Sequence, residues 1–308
     1  MPTPPSANVA LLFPGLDALF NTNNLKQWLG YTFIKKKLDF ASQCLSHLSG
    51  KKEDLFQFVT DHRRIHIVDF DRTLIVLTTL QVAIAERIQM DHHWDIAQGC
   101  SHGDLARNVI CGVTSFEDAI DILWSFSQLR HICPEGYTAN VRTSKGTPLT
   151  QEQLSWLNNE GAPISQWSDR HATIAGNKSF IEAIREKSKL YDLKIKPVLP
   201  YPVHSSAMEP MQKEMALLAL KWRVSTPKKP IFSSIFLKYL ESTEELFIEG
   251  LANSVMPIRW METLSHLHNH QRVDRFINIG PANTLTGWLL DSPEYRNVKV
   301  LESWDLVS

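Results

Sequence analysis

Residues 99–103, Gly-Cys-Ser-His-Gly, form a G-x-S-x-G pentapeptide between a hydrophobic segment and a helical one. Two glycines around a serine are typical of a sharp strand-to-helix turn, where the backbone is strained and the two elements pass close together. Such a turn exposes the serine hydroxyl, and the helix end directs unpaired N–H groups at the same point. We therefore predict that Ser101 is a nucleophile whose oxyanion is stabilised locally.

The composition excludes several classes of protein. A chain of 308 residues with 43% apolar content can bury a large core, and its formal net charge of −1 gives no bulk attraction to nucleic acid or to an anionic membrane. The N-terminus lacks the pattern of a signal peptide, and no run approaches the roughly 18 apolar residues of a membrane span. We expect a cytoplasmic protein with no nucleic-acid or membrane partner.

The cysteines are widely spaced and include no C-x-x-C pair. Such spacing is typical of reduced thiols, and it indicates neither a disulfide framework nor a zinc site. No metal site is predicted. The cysteines are Cys44, Cys100, Cys111 and Cys133.

The first part of the chain, residues 1–133, is predicted to be an α/β unit around the Ser101 turn. A long apolar helix over 74–90 should pack directly against that turn. The other predicted elements are a strand over 8–13, a loop over 15–20, a helix-rich region to about residue 59, a strand over 92–97 and helices over 104–111 and 115–130.

The pattern of predicted secondary structure changes after Cys133. Residues 134–199 alternate between strands and helices, which resembles a small ferredoxin-like unit inserted in a larger α/β body that resumes over 200–308. The inserted unit is predicted to have strands over 137–143, 172–175 and 193–199 and helices over 150–159 and 177–191. The last part is predicted to have helices over 211–222, 241–251, 257–270 and 282–290 and a strand over 276–279.

Several motifs in order resemble those of malonyl-CoA:acyl carrier protein transacylases. The motifs are Phe13-Pro14-Gly15, Gly99-x-Ser101-x-Gly103, Ser115-Phe116-Glu117-Asp118-Ala119, Ile174-Ala175-Gly176, His204-Ser205-x-x-Met208 and Gly280-Pro281-x-x-x-Leu285-Thr286-Gly287. The chain therefore looks like a stand-alone acyltransferase of the fatty acid and polyketide synthase type. The resemblance implies an α/β-hydrolase-like large subdomain with an inserted ferredoxin-like small subdomain.

The resemblance also implies the remaining catalytic groups. His204 takes the position of the base that activates the serine, because a serine hydroxyl needs an imidazole to accept its proton. The main-chain carbonyl of Asn253 takes the position that holds the other imidazole nitrogen. The backbone N–H groups of Leu16 and His102 would form the oxyanion hole. Because a carbonyl is needed at 253, Asn in place of the family's usual Gln should be harmless.

The departures from the family concern the acyl group. Malonyl-using members carry an arginine that pairs with the substrate carboxylate, and the matching position is Phe126; Arg130, one turn later, is a weaker candidate to replace it. Cys100 replaces the usual His before the serine, and the loop over 13–20 is less polar than in housekeeping enzymes. With Tyr201 and Val203, these changes describe a roomier, less anionic pocket, so we predict that the acyl group is not malonyl.

These observations leave four hypotheses for the activity. The one we favour is transfer of an acyl group between carrier proteins through an acyl-serine. The alternatives are an editing hydrolase of acyl carriers, a catalytically silent docking homologue and a plain carboxylesterase. The implied partner is an acidic acyl carrier protein; no cofactor is bound, since the acyl group travels on phosphopantetheine of the carrier or on CoA. Candidate docking residues are Lys35-Lys36-Lys37, His62-Arg63-Arg64 and Lys228-Lys229.

Overall fold

The fold was obtained as a computed structural model, which describes residues 9–16 and 25–307. The predicted loop over 15–20 lies largely outside these residues, as does Asn8 of the first predicted strand. The described strands are β1 (Val9–Phe13), β2 (Ile96–Gly99), β3 (Gly136–Thr143), β4 (Ile164–Gln166), β5 (Ala172–Asn177), β6 (Leu193–Leu199), β7 (Arg275–Asn278) and β8 (Lys299–Glu302).

Helices cover most of the sheet surfaces. The described α-helices are α1 (Leu25–Trp28), α2 (Thr32–Ser49), α3 (Leu55–Asp61), α4 (Ile65–Val68), α5 (Phe70–Asp91), α6 (Gly103–Ile110), α7 (Phe116–Gln128), α8 (Gln151–Asn159), α9 (Lys178–Lys187), α10 (Glu209–Ala219), α11 (Thr243–Ala252), α12 (Trp260–Ser265) and α13 (Thr284–Asp291).

A four-stranded parallel sheet in the order β2-β1-β7-β8 carries the G-x-S-x-G turn. Strand β1 reads Val-Ala-Leu-Leu-Phe and is buried throughout, as expected of an interior strand with both faces covered. The predicted strands near 8–13 and 276–279 are confirmed. The strand predicted over 92–97 begins only at Ile96. The preceding residue, Asp95, caps the start of β1, because its carboxylate accepts a hydrogen bond from the Val9 N–H.

A second, antiparallel sheet is formed by residues 136–199. Its elements run β3-α8-β4-β5-α9-β6, and its strands lie in the order β4-β5-β3-β6. The five elements predicted here are confirmed to within a few residues, and both helices begin at side-chain caps, Thr150 and Asn177. Strand β4 was not predicted, because three residues at a sheet edge give too little alternation to detect.

Helix α5 is the central helix of the large core, as its continuous apolar sequence predicts. Among the described residues, α5 is the one helix that is long and apolar enough to span a membrane. Its sequence contains no unbroken apolar run of that length, so it was not predicted to be a membrane span. However, 78% of its most apolar stretch is buried inside the protein. It packs against α2 on one side and against α6 on the other, so the helix that leaves Ser101 rests on it.

The later helices differ slightly from their predicted bounds. The helix predicted over 257–270 begins at Trp260, and two backbone N–H groups just before it are bound outside the helix: the Ile258 N–H donates to Ser165 Oγ at 2.8 Å and the Arg259 N–H to the Ser234 carbonyl at 2.7 Å. Its last turn, His266–His270, is a π-helix. The bond to Ser165 of β4 attaches the stretch after Asn253 to the antiparallel sheet.

Candidate active site

The turn at Ser101 is a tight connection between β2 and α6. Ser101 has φ of 56°, a left-handed conformation that costs a non-glycine residue free energy and clusters at functional sites. A Cβ on Gly103 would lie 2.0 Å from the Phe13 carbonyl oxygen, and one on Gly99 would lie 2.2 Å from Asp104 Oδ1. The glycines are therefore required by close approach of the backbone, and the turn presents the serine side chain.

Three residues from distant parts of the chain meet at this turn. Ser101 Oγ lies 2.7 Å from His204 Nε2, and His204 Nδ1 lies 2.6 Å from the Asn253 carbonyl oxygen. His204 also has a positive φ, 62°, and its N–H donates to the Ser254 carbonyl at 2.7 Å. The segment at 253–254 therefore fixes both the backbone and the ring of His204.

The imidazole of His204 is neutral near pH 7. Burial lowers the pKa of His204 to about 4, and the hydrogen bond to the Asn253 carbonyl only partly opposes this effect. A carbonyl oxygen accepts, so Nδ1 must carry the proton and donate it to Asn253. The lone pair of Nε2 then faces Ser101 Oγ, which is the arrangement that a general base needs.

The predicted oxyanion-hole residues lie on two sides of the nucleophile. Within residues 9–16 and 25–307, neither the Leu16 N–H nor the His102 N–H has a protein acceptor. The loop that carries Leu16 is anchored by Gln81 of α5, whose amide donates to the Pro14 carbonyl at 2.7 Å. Sequence patterns gave no indication of this role for Gln81, which lies in an apolar helix 67 residues away.

The side chain of His102 points away from the hydroxyl of Ser101 and into α5. Its Nε2 lies 2.9 Å from Thr78 Oγ1 and 3.1 Å from the Leu74 carbonyl oxygen. Burial lowers the pKa of His102 to about 4, so the ring is neutral as well. His102 thus locks α6 to α5, and only its backbone N–H remains available to a substrate.

The side chain of Asn253 is also engaged, although the prediction from the sequence concerns only its carbonyl. Its Nδ2 donates to Asp104 Oδ2 at 2.7 Å and approaches the Ser101 carbonyl oxygen at 3.4 Å. One residue therefore contacts both members of the Ser101–His204 pair, through its carbonyl on one side and its amide on the other. A glutamine or an alanine at 253 would change this geometry.

Asp104 belongs to a buried charged cluster under the turn. The Arg107 guanidinium has no exposed side-chain area and contacts Asp104 at 2.8 Å and Glu249 at 2.9 Å. Burial raises the pKa of Asp104 to about 7, against the lowering effect of Arg107. The cluster joins α6 to α11 and so fixes the helix that leads into Asn253.

Arg107→Met should lower the free energy of unfolding by about 3–5 kcal/mol, because it leaves two buried carboxylates without a cation. Urea denaturation measures this loss. The matched control is Lys187→Met, which breaks an exposed pair with Glu160 at 2.6 Å and should cost less than about 1 kcal/mol. Equal effects of the two substitutions would show that the Arg107 cluster does not stabilise the fold.

Two cavities meet at Ser101. The first, of about 210 Å³ and called here the histidine cavity, is bounded by Leu16, Ser101, Tyr201 and His204. Cys100, Phe126 and Val203 line it too, so the structure brings together all the predicted pocket residues except Arg130. The second, of about 230 Å³ and called here the helix cavity, lies among α6, α7, α10 and α11. No pattern in the sequence predicts the helix cavity.

Arg130 does not contribute to either cavity. Its guanidinium donates to Asp71 Oδ1 at 2.9 Å, in a separate surface cleft. The residue lies in a short 3₁₀ turn, Leu129–Ile132, that follows α7. Arg130 therefore pairs with Asp71 in this conformation, and its role as a substitute for the missing arginine stays a prediction.

Two of the basic clusters considered for docking contribute lysines to the fold itself. Lys37 Nζ donates to Glu86 at 2.7 Å and lies over the Phe116 ring. Lys229 Nζ donates to the Trp94 carbonyl at 3.1 Å. Neither ammonium is therefore a simple solvated charge.

Comparison with known proteins identifies relatives along nearly the whole chain. No family model matches. A malonyl CoA-acyl carrier protein transacylase of Bacillus subtilis is 24% identical over 289 residues, which cover 92% of this chain and 71% of that protein. The chain is thus similar to malonyl CoA-acyl carrier protein transacylases over nearly its whole length. The polyketide biosynthesis acyltransferase homolog PksD of Bacillus subtilis (strain 168) is 27% identical over 202 residues, 63% of this chain and 59% of PksD.

Solved structures of malonyl transacylases share the fold of this chain. A malonyl-transacylase determined in complex with its acyl-carrier protein from a type II polyketide synthase superimposes with a TM-score of 0.82 at 22% identity, over 96% of this chain and 95% of that one. The α/β fold expected from the sequence is thereby confirmed. The relatives are acyltransferases, and the contact between Ser101 and His204 is consistent with their chemistry.

Proposed function

We propose that the chain is an acyltransferase of fatty-acid or polyketide-type biosynthesis that moves an acyl group through a Ser101 ester onto an acyl carrier protein or between carriers. The observation that carries the proposal is the continuous contact from Ser101 Oγ to His204 Nε2 and from His204 Nδ1 to the Asn253 carbonyl. The homology to transacylases supports the same chemistry. A relative bound to a carrier protein supports an acidic carrier as the partner.

The first half-reaction forms the ester. Ser101 Oγ attacks the thioester carbonyl carbon while its proton passes to His204 Nε2. The oxyanion that forms accepts hydrogen bonds from the N–H groups of Leu16 and His102. The C–S bond then breaks, and the departing thiolate takes the proton from Nε2. Asn253 stabilises the imidazolium that exists between these two transfers, because its carbonyl accepts the Nδ1–H throughout.

The second half-reaction reverses these steps with a new acceptor. The thiol of a carrier phosphopantetheine gives its proton to Nε2 and attacks the ester carbon, and Ser101 Oγ leaves with that proton. Water in place of the thiol would give hydrolysis and a free acid. The acyl group and the thiol both arrive with the substrates, so this scheme requires no bound cofactor.

The acyl group is proposed not to be malonyl. Phe126 lines both cavities at the position of the family's carboxylate-binding arginine. Among the described residues that line the cavities, the one lysine or arginine is Arg107, and it already pairs with Asp104 and Glu249. A malonyl carboxylate would therefore be buried without a cation, at a cost of several kcal/mol.

The finer architecture is also a proposal. We assign an α/β-hydrolase-like subdomain to residues 1–133 and 200–308 and a ferredoxin-like subdomain to residues 134–199. The order β3-α8-β4-β5-α9-β6 and the sheet order β4-β5-β3-β6 support the second assignment. A cytoplasmic location, where carrier proteins and acyl thioesters are available, is part of the same proposal.

Intact-protein mass spectrometry tests the function. The protein is incubated with a panel of acyl-CoA and acyl-carrier thioesters, and a holo-carrier is then added. An adduct on Ser101 that persists in buffer and moves to the carrier is the expected result. Loss of the adduct in buffer alone, with release of free acid, would make the protein an editing hydrolase. Absence of any Ser101-dependent adduct would favour a silent homologue.

The acylation rate should be nearly independent of pH between 8 and 5. A base whose pKa is about 4 stays deprotonated over this range, whereas a base with the ordinary pKa of about 6.5 would lose roughly 30-fold in rate at pH 5. Rapid quenching followed by mass spectrometry gives the rate.

One neighbouring group titrates in the same range. Asp104, whose pKa is about 7, contacts Asn253, so an Asp104→Asn variant serves as the control and should keep the flat profile. A midpoint near pH 6.5 in both proteins would contradict the assignment of buried His204 as the base.

A further inference from the structure

We propose that the helix cavity binds the acyl chain carried on Ser101, and that the substrate is an uncharged acyl group of medium length. The proposal rests on the acyltransferase function above and adds the substrate class and its binding site. It starts from the position of the nucleophile, which lies in the walls of both cavities. Both cavities therefore border the residue that would carry the acyl group.

The groups that act on the carbonyl carbon decide between the two cavities. His204 must lie beside the sulfur, since it gives a proton to the departing thiolate. Leu16 and His102 must lie beside the oxyanion. His204 and Leu16 line the histidine cavity and not the helix cavity, whereas His102 lines both. The sulfur and the oxygen of the tetrahedral intermediate thus point toward the histidine cavity. The remaining substituent, the acyl chain, is left facing the helix cavity.

The polar groups of the histidine cavity suit a thioester arm. The Tyr201 side chain lines this cavity and also the neighbouring surface cleft that holds Asp71 and Arg130, and its hydroxyl is buried with no hydrogen-bond partner among the described residues. Burial raises its pKa, so the hydroxyl keeps its proton and can donate. A phosphopantetheine arm carries amide carbonyls that would accept such a bond. An alkyl chain in the same place would leave the hydroxyl unsatisfied.

The helix cavity offers a long apolar wall instead. It is bounded on one side by Leu123 and Phe126 of α7 and on the other by Met215 of α10. Other apolar residues that line it are Trp222, Val224, Leu246 and Phe247. A volume of about 230 Å³ accommodates several methylene groups. Each buried methylene can raise the acylation rate by up to about fourfold, so the rate should increase from acetyl to hexanoyl and octanoyl.

The charged cluster at the base of this cavity does not select a charged substrate. Arg107 lines the cavity but contacts the carboxylates of Asp104 and Glu249, which satisfy its charge. A carboxylate on the acyl chain would meet Asp104 and Glu249 as well as Arg107. An uncharged chain avoids this repulsion, so the cavity favours an uncharged acyl group.

Substitutions that change the volume of each cavity test the proposal. Ala219 lies on α10 and lines the helix cavity, so Ala219→Phe fills it. The measurement is the rate of Ser101 acylation by acetyl, butyryl, hexanoyl, octanoyl and decanoyl thioesters. Ala219→Phe should lower the ratio of octanoyl to acetyl acylation by tenfold or more, and Met215→Ala, which enlarges the cavity, should shift the preference toward longer chains.

Two matched variants complete the design. Leu217→Phe adds a ring on the exposed side of α10, where Leu217 is 67% exposed, and should leave the octanoyl-to-acetyl ratio unchanged. Val198→Phe narrows the histidine cavity and should slow all chain lengths equally. Circular dichroism and thermal unfolding establish that each variant is folded, and Met215→Ala provides a second test if Ala219→Phe is not.

Three results would overturn the proposal. In the first, Val198→Phe shortens the preferred chain while Ala219→Phe and Met215→Ala do not, which would place the acyl chain in the histidine cavity. In the second, wild-type protein is acylated by malonyl thioesters and by no alkyl thioester. In the third, no thioester of any kind acylates Ser101, and this result alone would also contradict the acyltransferase function.

Discussion

Ser101→Ala should reduce acyl transfer to a holo-carrier by on the order of 10⁴-fold or more, the largest effect expected of any single substitution. The substitution removes the atom that forms the ester, and His204 then has no hydroxyl to activate. Binding of the thioester should change little, because the hydroxyl contributes a small part of either cavity wall. Mass spectrometry of the carrier measures the loss, and intact-protein mass measures the missing adduct.

The control for this prediction is a serine close to the site that makes no contact with the reacting groups. Ser206→Ala changes an exposed residue two positions after His204 and should retain full transfer. Cys100 adjoins the nucleophile, so any residual adduct in Ser101→Ala should be mapped by peptide mass spectrometry. Transfer by Ser101→Ala at a rate close to that of the wild type would refute the acyl-serine mechanism.

The G-x-S-x-G turn was predictable because its sequence is under two local constraints. Ser101 has a positive φ, and a Cβ at position 103 would lie only 2.0 Å from the Phe13 carbonyl oxygen. Both constraints act on the turn itself, so the residue types of a pentapeptide can indicate them. The same holds for β1 and α5, whose apolar runs are long enough to indicate burial. The strands that were missed, β4 and β8, are short edge strands that owe their structure to their neighbours.

The contacts around the nucleophile were only partly predictable. His204 and Asn253 were assigned by resemblance to a family, since nothing in their own neighbourhood distinguishes His204 from the other histidines of the chain. The amide of Asn253 meets Asp104 across 149 residues, and Gln81 meets Pro14 across 67. Such contacts depend on tertiary packing, and no periodicity or spacing in the sequence encodes them.

The helix cavity illustrates the same limit for substrate recognition. Phe126 was noted for the arginine that it replaces, and its apolar neighbours in α7 were compatible with simple core packing. In the folded chain, Phe126 is partly buried and is one of the residues that line both cavities. Its side chain should therefore affect which acyl group is accepted.

Phe126→Arg should accordingly convert the preference of the enzyme toward malonyl thioesters, raising the ratio of malonyl to hexanoyl acylation by on the order of 100-fold or more. A guanidinium at this position can pair bidentately with the malonyl carboxylate, which removes a penalty of several kcal/mol for burying that charge alone. The longer polar side chain also occupies the space between the cavities. Competition of both thioesters for Ser101, read by intact-protein mass, measures the ratio.

The matched variant Phe126→Met separates charge from space. It replaces the aromatic ring by a flexible apolar chain and supplies no cation. The rate of malonyl acylation should therefore stay as low as in the wild type. Thermal unfolding with and without malonyl thioester shows whether the new guanidinium, unpaired in the free enzyme, destabilises the fold and is rescued by the substrate. If Phe126→Arg is folded and malonyl acylation stays undetectable, then either position 126 does not correspond to the family's arginine or the proposed acyl pocket is wrong.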